Sequence, residues 1–254
     1  MPILKAGSQL VYYAHVPKCA GTALEHYLEA RFGALAFLDT KFMGVPRDER
    51  WSATSPQHID AGSLARLFPE GFFDAAFTVV RHPEARIISA YHFQREVEKT
   101  ISEHVSFGDW LEDLVDLRED APFLHDNHTR PMAEIVPEGA KVFHLEHGLD
   151  ALIPWFDQLM GDQTGPRAIP KVNERGAYAA AKGEITLTDA ERARIAELYA
   201  VDFTRFGYST DAKAPSAPAP SLSAEFTAAR DAALKTMNNP ITKVTGKIRK
   251  KIGI

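Results

Sequence analysis

"VYYAHVPKCAGTALEHYLEARFG", residues 11–33, passes through three kinds of sequence in turn. Leu10–Val16 is an apolar run of strand length, rich in valine and tyrosine, which favour a pleated, half-buried surface. A tight loop follows, holding Lys18, Cys19, Ala20 and Gly21. From Thr22 onward Leu24, Tyr27, Leu28 and Phe32 recur at helical spacing, and Gly33 marks a stop. A strand that runs through a short loop into a helix exposes backbone N–H groups at the positive end of that helix, where phosphate or sulfate groups settle. Ala20 and Gly21 are small enough to let an anion reach the backbone, Lys18 brings a full positive charge, and the Thr22 hydroxyl is a further donor. The lysine precedes the glycine, whereas the P-loop pattern G-x-x-x-x-G-K-[ST] places it after. Thr22 and Glu25 also form a T-x-x-E capping box, so the same residues read equally as an ordinary helix start. Glu25, a negative charge in that first turn, counts against an anion.

A second unit of the same kind follows. "AAFTVV", residues 75–80, is an apolar strand that leads into "RHPEARIISAYHFQREVEK", where Pro83 suits the first turn of a helix and Ile87, Ile88 and Tyr91 form an inward face. In a P-loop kinase or ATPase a second strand of this kind ends in an aspartate that helps hold magnesium. Here it ends in Arg81, whose forked donors suit a phosphate and cannot bind a cation. His82, Arg86 and Ser89 fall along one face of the following helix, so Arg81 and Ser89 are placed to grip one phosphate. Taken singly, Arg86 reads as a salt-bridging surface residue and Ser89 as a helix filler. Two strand-loop-helix units favour an α/β, P-loop-like three-layer fold with a central, mainly parallel sheet flanked by helices.

The remaining pattern fits that class. Phe107, Trp110, Leu111 and Leu114 define an amphipathic helix within residues 103–117, "KVFHL" at 141–145 is a short strand, and residues 149–161 read as a helix around Pro154. "TLTDAERARIAELYAVDFTRFGY" predicts one long helix that starts at Thr188 or Asp189 and stops near Gly207. Residues 211–223, "DAKAPSAPAPSLS", form a Pro/Ala/Ser linker expected to be extended and poorly packed. The division is a folded body over 1–210, the linker over 211–223 and a basic amphipathic or disordered tail over 224–254.

The 254 residues are 45% hydrophobic and 25% charged, an ordinary globular balance that argues against disorder throughout. The net charge of −5 is unevenly spread. Residues 212–254 hold eight Lys/Arg against two acids, so the body carries −11 and the tail +6. Its ending "KVTGKIRKKIGI" suggests weak contact with an anionic membrane surface. The first ten residues lack a signal-peptide apolar run and no stretch has spanning length, so the expected location is cytoplasmic, or peripheral at the inner membrane surface. Cys19 is the only cysteine and no H-x-x-x-H or H-E-x-x-H pattern occurs, so neither a disulfide nor a metal site is expected.

"HVPKCAGT" and "FTVVRHPEARIISAY" resemble the 5′-phosphosulfate loop and the 3′-phosphate segment of sulfotransferases that use 3′-phosphoadenosine 5′-phosphosulfate. The similarity is greatest to the carbohydrate type related to heparan sulfate 2-O-sulfotransferases and their bacterial relatives. Weaker matches follow in "SPQHIDAGSL", "HDNHTRPMAEI", "PKVNERGAY" and "LYAVDFTRFGY", so that about residues 10–210 are covered. The resemblance implies that Lys18 neutralises the phosphosulfate and the charge left on the bridging oxygen. Ala20, Gly21 and Thr22 supply loop donors, and Arg81 and Ser89 hold the 3′-phosphate. It implies no metal, a hydroxyl acceptor on a glycan or glycolipid, and no nucleic-acid partner. His82 departs from the family, which often has aspartate there, and this bears on the ion pairing of Arg81. His58 stands where the family places the histidine that deprotonates the acceptor, and His15 is the alternative beside the lysine loop. Asn127, Thr129 and Arg130 fall on the acceptor side, and Lys171, Asn173 and Arg175 on the nucleotide side. Two other readings stay open: a small-molecule kinase, and a protein of the same fold that binds nucleotide or glycan without turnover.

Overall fold

A computed structural model describes residues 2–170 and 185–238. Its centre is a four-stranded sheet in the order β1-β2-β3-β4, formed by Ile3–Ala6, Gln9–Ala14, Ala75–Val80 and Lys141–His144. β1 pairs antiparallel with β2, while β2–β3 and β3–β4 are parallel. The chain is thus α/β, with a mostly parallel sheet flanked by helices. The apolar runs of β2 and β3 become wholly buried toward their carboxyl ends, which is the pattern of strands covered on both faces. β1 has no counterpart in the sequence reading. It is a four-residue edge strand whose pairing comes from β2 and from a bridge between Ile3 and Ala36.

Helix α1, Gly21–Phe32, buries Leu24, Tyr27 and Leu28 against the sheet and ends at Gly33, whose φ of 85° suits glycine. Its start differs from the expected capping box. Ala20 is the N-cap, in a left-handed conformation and without a side-chain cap, so Thr22 lies one residue inside the helix. Glu25 falls beyond the first turn and faces His15 instead, with Oε1 3.0 Å from Nδ1. The short helix α2, Ala61–Leu67, is capped by Asp60, which accepts from the Ser63 amide at 2.9 Å. α3, Pro83–Glu96, begins at the expected proline.

A second core forms beside the sheet, where Ile87 and Tyr91 of α3 meet Phe107, Trp110, Leu111 and Leu114 of α4, Phe107–Leu117. α5, Met132–Ile135, and α6, Leu152–Met160, join the sheet core. The expected long helix near the carboxyl end is two: α7, Asp189–Leu198, and α8, Ala200–Phe206. Thr188 and Glu191 supply a true capping box for α7. The break falls at Tyr199, whose ring is buried and whose hydroxyl donates to the Thr129 carbonyl at 2.7 Å. Seating that aromatic ring outweighs the continuous helical pattern. Residues 211–223 are largely exposed, and α9, Ala224–Asn238, packs Phe226 into the sheet core and pairs Arg230 with Asp150 at 2.9 Å. The basic ending at 243–251 lies outside the described residues. No helix among the described residues is long and apolar enough to cross a membrane.

Candidate active site

Because β2 and β3 are parallel neighbours, the loops that leave their carboxyl ends lie side by side, where open α/β sheets receive ligands. The chain between β2 and α1 turns through two left-handed residues, Lys18 at φ 68° and Ala20 at φ 67°. These turns put Gly21 at the head of α1, with the helix amides facing the loop. Arg81, at the end of β3, donates from Nη1 to the Lys18 carbonyl at 3.3 Å, which ties the two loops together. His82 does not pair with Arg81. Its amide donates to Glu146 Oε1 at 2.7 Å and its Nε2 lies 3.0 Å from the Ser209 carbonyl, so it anchors the head of α3 to the end of the body. Thr22 and Ser89 are both half-buried, Thr22 at the second position of α1 and Ser89 on α3 eight residues beyond Arg81.

Arg86 is not a surface residue. Only 2% exposed, it donates from Nε to the Pro17 carbonyl at 3.2 Å and from Nη2 to the His128 carbonyl at 3.1 Å.

The segment before α2 brings His58 to the same region. His58 Nδ1 lies 2.7 Å from Asp126 Oδ2 and 3.1 Å from Ser55 Oγ. The Ser55 hydroxyl donates to the same Asp126 oxygen at 2.6 Å, and the Ser55 amide donates to Asp126 Oδ1 at 2.6 Å. With a carboxylate facing it, Nδ1 carries the proton and Nε2 offers the lone pair. Burial pushes the Asp126 carboxyl up, but the hydrogen bonds from His58 and Ser55 prevail and hold it below the usual carboxylate range. Asp126 sits in a run of three left-handed residues, His125, Asp126 and Asn127, with φ of 52°, 55° and 61°. Asn127 Nδ2 donates to the His58 carbonyl at 2.8 Å, so consecutive residues hold both ends of this histidine.

A file of rings joins the two halves of the site. His15 and His58 meet edge to face with centroids 4.9 Å apart, and His58 meets His128 in the same way at 4.9 Å. His128 stacks on Phe93 at 5.0 Å, and Lys18 Nζ lies 3.7 Å from the centre of the Phe93 ring. Burial pushes the pKa of His15 down to about 4 against a partial pull from Glu25. Burial pushes His128 well below 6.5. Both neighbours of His58 are therefore neutral near pH 7.

His15 is enclosed. It stacks on Tyr13 at 5.1 Å, stands near Glu25 at ion-pair distance but off the line of a hydrogen bond, and presses its Nε2 edge on Gly21. A methyl group at Gly21 would overlap that ring. Gly21→Ala is therefore expected to destabilise the fold by about 1–3 kcal/mol in urea unfolding, with part of the loss recovered when His15→Ala is added.

The neutral histidines also set a pH dependence. Unfolded His15 takes up its proton near 6.5, while the folded residue does so only near 4. Stability is thus complete above about 6.5 and falls as the pH drops toward 4, by an amount of order 2–3 kcal/mol. Replacing His15 with the non-titrating ring of phenylalanine should flatten this slope in denaturant titrations from pH 7 to 4. His128 acts in the same direction and leaves a remainder.

Among the described residues, His58, Asp126 and His128 have ligand atoms within 4.8 Å of one another, and imidazole with carboxylate suits a transition metal ion. Asp126 Oδ2 accepts from both His58 Nδ1 and the Ser55 hydroxyl and Oδ1 from the Ser55 amide, so the carboxylate serves here as a hydrogen-bond acceptor that orients His58. Asn127 and Thr129 are buried supports of the loop. Arg130 pairs with Glu134 at 2.9 Å and, with Arg118, lines an open cleft beside it. Lys171, Asn173 and Arg175 lie outside the described residues. Ser55, Asp126 and the buried role of Arg86 went unread in the sequence. The one local signal was "HDN", the non-glycine residue types that best tolerate left-handed backbone.

A P-loop-like α/β protein with two basic loops side by side at the carboxyl edge of its sheet, and an oriented histidine next to them, has the make-up of a group-transfer enzyme that handles anions. A family model described as the sulfotransferase family matches residues 2–209, and the chain belongs to that family. Comparison with curated proteins and with solved structures gave no match. Sulfuryl transfer is the activity that this membership supports.

Proposed function

We propose that the donor is 3′-phosphoadenosine 5′-phosphosulfate and that the acceptor is a hydroxyl of a carbohydrate or glycolipid. The observation that carries this reading is the pairing of His58 Nδ1 with Asp126, one ring away from the ring on which Lys18 rests. That pairing leaves Nε2 of His58 as a base, and the lysine loop as the place where negative charge is received. His58 Nε2 takes the acceptor proton as the acceptor oxygen bonds to sulfur. The bond from sulfur to the bridging phosphate oxygen breaks, and Lys18 and the α1 amides stabilise the charge left there. Arg81 and Ser89 hold the 3′-phosphate, and Ala20, Gly21 and Thr22 line the loop. Residues around Arg130 face the acceptor.

The test is release of 3′,5′-adenosine bisphosphate from labelled donor in the presence of glycans, glycolipids and small alcohols. Transfer to at least one of them, unaffected by chelator, is expected. Nucleotide binding without transfer to any acceptor would reduce the protein to a binder, and activity lost on chelation and restored by magnesium would favour a kinase. The basic ending is proposed to touch anionic lipid weakly, at about 1 kcal/mol per basic residue. A chain cut after Asn238 keeps Phe226 and the Arg230 pair and is therefore the proper control. It should float with anionic vesicles less than the whole chain does at low salt, and equal flotation would dismiss the contact.

A further inference from the structure

We propose that Arg86 is a positioning residue that couples the lysine loop to the segment that orients His58, so that an anion held at the first steadies the base at the second. This inference rests on the donor and base assignments above. The side chain comes from α3, yet among the described residues its two hydrogen bonds reach neither α3 nor a carboxylate. One goes to the carbonyl of Pro17, the residue before Lys18, and the other to the carbonyl of His128, two residues after Asp126. These two carbonyls belong to segments 111 residues apart in the chain. Each segment is held to its functional side chain by short links. Pro17 is bonded to Lys18, whose own carbonyl accepts from Arg81. Residues 126–128 reach His58 through the Asp126 carboxylate, the Asn127 amide and the edge of the His128 ring.

A guanidinium is suited to this task because it is flat, always charged, and projects donors in fixed directions, so one group fixes the distance between two acceptors. A buried arginine that ends on backbone carbonyls is unusual, since buried charges ordinarily pair with opposite charges. Burial pushes the Asp202 carboxyl up and the Arg86 charge pulls it partly back, while Asp202 caps α5 by accepting from the Met132 and Ala133 amides at 2.9 and 2.8 Å. That aspartate also lies on the helix next to Tyr199, whose hydroxyl holds the Thr129 carbonyl. The segment is therefore gripped at His128 and Thr129 in succession, and only the first grip reaches the lysine loop.

The experiment is hydrogen exchange read by mass spectrometry on the full chain, with and without 3′,5′-adenosine bisphosphate, for wild type, Arg86→Met and Arg86→Lys. Calorimetry with the same ligand runs in parallel. In wild type the ligand is expected to slow exchange about fivefold or more both in residues 17–22 and in residues 125–130. In Arg86→Met the protection should remain at 17–22 and fall below about twofold at 125–130. Arg86→Lys keeps the buried charge but replaces donors on two separate nitrogens with a single one on a flexible stem, which does not fix the distance between the carbonyls, so it should show the same split even if the methionine variant folds poorly. General loosening of the fold would instead raise exchange in both segments whether or not ligand is present. Coupled protection that survives in a variant that still binds the ligand would overturn the role of Arg86 and leave the donor assignment standing. Failure of wild type to bind the bisphosphate would overturn the donor assignment and this inference with it.

Discussion

His58→Asn is expected to lose at least about 100-fold in kcat while affinity for 3′,5′-adenosine bisphosphate stays within a few fold. A sugar or alcohol hydroxyl is a weak nucleophile at neutral pH, and a base that accepts its proton as the new bond forms typically contributes 10²–10⁴ in rate. Because the proton moves only in the transition state, the loss belongs in kcat and not in ground-state binding. The choice of His58 over His15 follows from their surroundings. The two are about equally buried, but Nδ1 of His58 is hydrogen-bonded to Asp126, which fixes its ring and tautomer, whereas Nδ1 of His15 stands off the line to Glu25 and its Nε2 edge lies against Gly21. Asparagine keeps a polar group of similar reach, so the comparison removes the base and little else. A folded variant that retains more than about a third of wild-type kcat, with chemistry limiting turnover, would remove His58 from the role and make His15 the next residue to change.

Arg81→Ala should weaken binding of 3′,5′-adenosine bisphosphate by about one to two orders of magnitude, and binding of adenosine 5′-phosphate much less. Hydrogen bonds to a charged group are worth roughly 1.5–3 kcal/mol each, and only the first ligand has the 3′ group that Arg81 is assigned to hold. A smaller loss common to both ligands is also expected, because Arg81 supports the Lys18 carbonyl at 3.3 Å and the loop relaxes without it. Lys18→Ala should differ in kind, lowering turnover by about one to two orders of magnitude through the charge on the departing phosphate. Calorimetry with both ligands on each variant separates the two residues. Equal losses for the two ligands in Arg81→Ala would detach that arginine from the 3′-phosphate.

The parts of the fold that were legible in sequence are those fixed by local pattern. β2, β3 and α3 each carry an apolar run or a helix-starting proline, and the parallel sheet follows from two such units in succession. The parts that were not legible depend on contacts distant in sequence. β1 is a strand because β2 and Ala36 lie beside it, and Tyr199 interrupts a helical pattern because its ring has a buried seat. At the site, the loop was readable from Lys18 and Gly21, but the helix start was misplaced. Positive φ at Lys18 and Ala20 makes the alanine the cap, and nothing in the composition of the loop announces that. Asp126 lies 68 residues from His58 and could not be paired with it from the sequence. Arg86 taken singly reads as a surface residue, since most arginines are there; only the positions of two carbonyls show why this one is not.

The left-handed run at His125, Asp126 and Asn127 sets a limit on improving this protein. Each such residue costs on the order of 1 kcal/mol relative to ordinary backbone, and glycine would relieve that cost. Selection for heat resistance alone would thus be drawn to these positions. Asp126 and Asn127 are also the residues whose side chains fix the ring and carbonyl of His58, so, with His58 as the proposed base, a longer-lived variant made there is expected to be a slower one. The third position offers no clean escape, because the His125 ring accepts from the Trp110 indole at 3.3 Å and so ties the run to the second core. Lifetime is better sought away from this loop, for instance along the exposed face of α9, where no side chain of the proposed chemistry is found.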